Sequence, residues 1–76
     1  WKTGEIHVFP NPTQKNLYIN TVPMGTPYLI INSVGKLVQS GIINLNAYID
    51  VSSLASGLYF LRLDLEPCIG KRFLKI

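Results

Sequence analysis

Along most of this chain apolar and polar residues alternate every second position, and the clearest case is "LYFLRLDLE", residues 58–66. Tyr59, Leu61, Leu63 and Leu65 fall on one face of an extended segment and Phe60, Arg62, Asp64 and Glu66 on the other. That is the pattern of a strand with one face buried. Similar runs rich in Val, Ile, Leu and Tyr recur at roughly ten-residue spacing between turn signals, and helical periodicity is nearly absent, which argues an all-β sandwich or barrel. The pattern predicts strands over 5–9, 16–20, 28–33, 36–40, 48–51, 58–66 and 71–75. The stretch "GIINLNA", 41–47, reads equally as an eighth strand or as a continuation of the fourth.

The breaks between these runs carry their own chemistry. In "FPNPT", Pro10 and Pro12 fix φ and remove amide donors, so the first strand must leave its ladder there. Pro23, Gly25 and Pro27 interrupt the chain before the third strand. "NSVGK" places Gly35 where a short hairpin needs a residue at positive φ. Asp50 precedes "VSSL" and is expected to hydrogen-bond local backbone. "SSLAS" is too short for a stable helix, so Leu54 is expected to plug the end of the core from a tight turn, with Gly57 supplying backbone freedom before the long strand. Tyr59 follows Leu54 at the spacing with which a tyrosine hydroxyl bonds back to upstream backbone in the corner of immunoglobulin-like sandwiches.

Composition narrows the class. A chain of 76 residues makes one domain, and at that size it buries only about 60% of its unfolded surface. With 47% apolar and 14% charged residues it has core material and too few charges for disorder. No apolar run approaches the ~20 residues that span a bilayer, so a soluble domain without a membrane span is expected. The net charge of +3 gathers toward Lys71, Arg72 and Lys75. These cations could steer the chain end toward an acidic partner or simply protect a sheet edge. Nucleic acid is not an expected partner, because Tyr18, Tyr28 and Tyr48 are not interleaved with Lys or Arg. Cys68 is alone, so no internal disulfide or cysteine metal framework forms. The chain starts at Trp1 with no export signal of its own, which reads as a piece of a larger polypeptide.

A catalytic reading finds no nucleophile with a base to activate it. His7, the single histidine, alternates with Ile6 and Val8 and is expected to face solvent. Asp64 and Glu66 share a face with Arg62 as a solvated charged stripe. The dispersed carboxylates, one Cys and one His match no metal-ligand spacing. The glycines are singletons at turns, not a phosphate-binding loop. The expectation is a protein that is not an enzyme, with no catalytic residue, cofactor or metal.

Five stretches in order, "VFPNPT" (8–13), "LYIN" (17–20), "IINSVGKLV" (30–38), "IDVSSLASGLYFLRL" (49–63) and "KRFLKI" (71–76), together resemble the C-terminal sorting domain of cargo proteins of the type IX secretion system of Bacteroidetes. The resemblance covers nearly the whole chain. It implies a small immunoglobulin-like antiparallel β-sandwich of about seven strands, with 1–4 a linker from an upstream cargo and 5–76 the sorting domain. It implies as partners the outer-membrane translocon, a sortase-like cysteine protease that cleaves the domain off, and the cargo itself. The route would pass through the periplasm to the cell surface or medium. The family pattern falls on Pro10, Asn11 and Pro12, on Gly35 and Lys36, on Leu54, Gly57 and Tyr59, and on Lys71, Phe73 and Lys75. Lys71, Arg72, Phe73 and Lys75 are the residues expected to be recognised by the export machinery, with Pro10, Pro12, Gly35 and Tyr59 holding the scaffold. Position 32 is Asn where the family often has Asp, and the chain ends on Ile76 rather than a further basic or polar residue. Two rival readings stand beside this one. The first is a binding module for carbohydrate or a cell-surface protein, for which Trp1, Tyr48 and Phe60 are the candidate aromatics. The second is a structural sandwich that spaces a neighbouring domain.

Overall fold

A computed structural model describes residues 6–20, 22–66 and 68–76. Among these residues are seven strands: β1 (Val8–Phe9), β2 (Asn16–Ile19), β3 (Pro27–Asn32), β4 (Leu37–Ile42), β5 (Tyr48–Asp50), β6 (Gly57–Leu63) and β7 (Ile69–Lys75). They form two antiparallel sheets, one in the order β1-β2-β5 and the other β4-β3-β6-β7. No helix occurs among the described residues. This is the expected all-β class, resolved as two sheets rather than a closed barrel.

One core joins the sheets. Leu17, Ile19 and Ile49 come from the smaller sheet and Ile30, Leu61, Leu63 and Phe73 from the larger, all buried in a single cluster. The alternation that predicted β6 is the alternation observed: Tyr59, Leu61 and Leu63 are buried, while Leu58, Phe60 and Arg62 are exposed. Tyr28 also turns inward, opposite Gly41 on β4. A Cβ at Gly41 would stand 3.1 Å from the Tyr28 ring, so the missing side chain is what admits the ring. Gln39 reaches from β4 to the Tyr28 hydroxyl and to the Asp50 carbonyl, linking the two sheets along that side.

Several boundaries differ from those expected. The first strand is confined to Val8–Phe9, and Glu5 lies outside the described residues, as do Trp1 and the rest of the 1–4 linker. The ambiguous 41–47 stretch divides: Gly41 and Ile42 complete β4, and Ile43 then turns into the core. The turn is held by Ile43 N–H donating to Thr26 and Gly25 N–H donating to Ile43. β6 ends at Leu63 rather than 66, because the Leu65 N–H donates back to the Leu63 carbonyl and bends the chain. β7 starts at Ile69, two positions earlier than the charged run suggested, since Ile69 pairs with Leu63.

Candidate functional site

The corner before β6 is fixed by hydrogen bonds from both sides. Asp50 Oδ1 accepts the Ser52 N–H at 2.9 Å, and the Leu54 N–H donates to the Val51 carbonyl. Hydrogen bonding from the Ser52 side chain, and then from its N–H, holds the Asp50 carboxyl below its ordinary range. The Tyr59 hydroxyl donates to the Ala55 carbonyl at 2.7 Å, the back-bond its spacing predicted. Its ring stacks on Phe73 with centroids 5.6 Å apart. Gly57 takes φ +155°, a conformation that side chains with a Cβ rarely adopt.

The proline turn is built against the far end of the chain. Both peptide bonds preceding Pro10 and Pro12 are cis. Beyond them Thr13, buried, pairs with β7 in a parallel bridge to Lys75. Thr13 N–H donates to the Leu74 carbonyl, and the Thr13 carbonyl accepts from Ile76 N–H. Asn11 Oδ1 accepts the Leu74 N–H at 2.9 Å. Lys75 is itself buried, and its ammonium donates to the Leu54 carbonyl at 3.1 Å and the Ile76 carbonyl at 3.3 Å. One lysine thus ties the end of β7 to the corner before β6.

The hairpin between β3 and β4 lies at the same end, since Asn32 pairs with Tyr59 and Gly57 with Lys75. Asn32 Oδ1 accepts from both Val34 and Lys36 N–H, and Gly35 sits at φ +87°. The amide oxygen does here what an aspartate carboxylate would do. Pro10–Pro12, Gly35, Lys36, Leu54, Gly57, Tyr59 and Lys75, dispersed in sequence, therefore converge on one pole of the sandwich. Val34, Lys36, Pro10, Pro12 and Ile76 are among its exposed side chains. The opposite pole carries His7, Met24 and Leu45, all exposed, and the chain arrives at β1 from that side.

The residues expected to meet a partner divide by the face of β7 they occupy. On β7, Arg72 is exposed and Lys71 half-buried at the sheet edge, whereas Phe73 and Lys75 point inward. Phe73 has no accessible surface, so it holds the core, and Lys75 spends its charge on carbonyls of its own chain. The outer face of β6 and β7 is unusually apolar, with Leu58, Phe60 and Leu74 exposed beside Arg62 and Arg72. A contiguous apolar patch rimmed by charge is the composition of an interaction surface.

The aromatics of the rival binding module do not come together: Tyr48 is on β5 and Phe60 on β6, in different sheets, and Trp1 lies outside the described residues. A different row exists instead. Phe9, Tyr18 and Tyr48 align across β1, β2 and β5, with centroids 5.9 Å and 5.7 Å apart. Alternation alone could have placed each of them on an outer face, but only the pairing register sets them side by side. His7 is exposed and no cluster of three or more His, Cys, Asp or Glu able to hold a metal occurs among the described residues. Among the described residues no helix is long and apolar enough to cross a membrane.

Comparison with known proteins adds one positive finding. The family model described as "Secretion system C-terminal sorting domain" matches residues 7–68. No curated protein matches the chain.

Proposed function

The chain belongs to the family of secretion system C-terminal sorting domains, the sorting signals of type IX secretion, and from that membership we propose that it is read at the pole where its turns converge. A sorting signal of this class implies a secreted protein bound for the cell surface or the medium. In our reading the domain directs an attached cargo from the periplasm through the outer-membrane translocon, and a sortase-like cysteine protease then removes it. The domain performs no catalysis of its own.

The observation that carries this reading is the convergence itself. The proline turn, the β3–β4 hairpin, the corner before β6 and the end of β7 bond to one another or share a strand register. The chain reaches β1 from the other pole, so a preceding cargo would leave the signal pole uncovered. Lys71 and Arg72 lie along the middle and the Gly70 half of β7, away from that pole, and in this reading offer cations to the machinery along the sheet edge, while Phe73 and Lys75 keep β7 in place.

The test is export of a fluorescent reporter that carries a separate inner-membrane export signal at its N-terminus and residues 1–76 at its C-terminus. Reporter outside wild-type cells and held in the periplasm of a translocon-deficient strain supports the reading. Retention in both strains by a folded domain contradicts it. A second reading, a glycan-binding module, is favoured by the Phe9–Tyr18–Tyr48 row, because stacked aromatics present flat apolar faces to sugar rings. It requires the isolated domain to bind oligosaccharide and to lose that binding with Tyr18→Ala.

A further inference from the structure

The larger sheet is closed along half of its β7 edge and open along the other half. Leu74 directs both of its main-chain groups away from β6, to Asn11 and Thr13. In an antiparallel ladder directly opposed pairs alternate between bonded and non-bonded. Gly70 and Arg72, at even spacing from Leu74, therefore also direct their N–H and C=O groups outward. Those groups have no hydrogen-bond partner among the described residues.

Beside them runs a groove lined by Leu58, Phe60, Gly70, Lys71, Arg72 and Leu74, with no carboxylate in its lining. Gly70, opposite Arg62 and diagonal to Phe60, leaves the outer face of β7 bare, so a side chain from an added strand can cross it onto the exposed ring. The geometry points to an extended peptide segment of alternating apolar and acidic residues that joins β7 as a further strand of the sheet. Main-chain bonds form to Gly70 and Arg72, an apolar side chain lies over Gly70 against Phe60, and the alternating carboxylates, on the opposite face of the added strand, meet Lys71, with Arg72 adding to the positive field of the edge. Charge selects this occupant: two cations and no acid along the edge repel a basic strand, and a second β7 as well. Asn11 and Thr13 already occupy the edge at Leu74, so the added strand is confined to the Gly70 end. That such a segment comes from the export machinery rests on the sorting reading; the binding itself does not.

The probe is a short fluorescein-labelled peptide of alternating valine and glutamate, titrated into the 76-residue chain by anisotropy, with amide hydrogen exchange followed by NMR. We expect binding that protects the Gly70 and Arg72 amides, which exchange fast in the free domain. We expect Lys71→Glu, a change at a half-buried edge position outside the core cluster, to weaken binding about tenfold or more. The valine–lysine counterpart should bind at least as weakly. Absence of binding, or binding indifferent to Lys71→Glu, overturns the proposal. So does protection of Val38 and Ser40 instead, because the uncharged β4 is the other edge of this sheet. Peptide binding by a domain whose reporter is not exported would leave the groove standing and sink the sorting reading. Export without peptide binding would do the reverse.

Discussion

Tyr59 and Lys75 secure the corner before β6 from opposite sides, one through its hydroxyl to Ala55 and the other through its ammonium to Leu54. Tyr59→Phe keeps the ring on Phe73 and removes only the hydrogen bond, so it should cost about 1 kcal/mol in denaturant unfolding. Lys75→Met keeps the buried stem and leaves the Leu54 carbonyl unpaired, at about 1–2 kcal/mol. Phe73→Ala is a different kind of change: emptying a fully buried aromatic site costs about 3–5 kcal/mol, enough to unfold so small a domain. Lost export in that variant would report folding, not recognition. Asp50 gives a pH dependence. Its carboxyl is held below the ordinary range by bonds to Ser52, so its contribution is complete above the unfolded-state value near pH 4. It is lost as pH falls through the folded-state value. Melting temperature should fall as the pH drops below about 4, and less steeply in Asp50→Asn, which retains an acceptor oxygen for Ser52.

At the scale of elements, β6 was legible because its period of two is unbroken and one face is buried from end to end. The limits of β6 and β7 were not, because they are set by the partner strand: Ile69 extends because Leu63 lies opposite it, and charge on Lys71 and Arg72 says nothing of that. The 41–47 stretch was ambiguous for a similar reason, since Ile43 is apolar and buried without being in a strand. Lys75 shows the limit of reading charge as exposure. Its position in a basic run suggested a contact for a partner, yet strand alternation turns it inward, where a carbonyl of the corner receives it. The two remaining cations can be tested together. Lys71→Ala with Arg72→Ala should lower reporter export several-fold while leaving the melting temperature nearly unchanged, because Arg72 is exposed and Lys71 lies at the sheet edge. Export at the wild-type level would remove β7 from the recognition surface.

On the scale of the whole molecule, the turns were legible one by one and their assembly was not. Asn11 and Leu74 are 63 positions apart, and the bond between them depends on a parallel bridge that neither local sequence announces. Thr13, buried at the centre of that junction, carries no signal that would distinguish it from any threonine after a proline. The aromatic row across β1, β2 and β5 was hidden in the same way, because it exists only through register. What the fold adds to the motifs is polarity: the turns converge at one end, which we propose is the signal pole, and the chain approaches β1 at the other. The most direct measurement of that claim compares reporter export by two folded surface variants. Val34→Ser with Lys36→Ala alters the signal pole, where Val34 is 84% exposed, and Met24→Ser with Leu45→Ser alters the opposite pole, where the exposures are 67% and 80%. Our account predicts that the first pair lowers export several-fold and the second leaves it at the wild-type level. Equal export by both, or loss confined to the second, would contradict it.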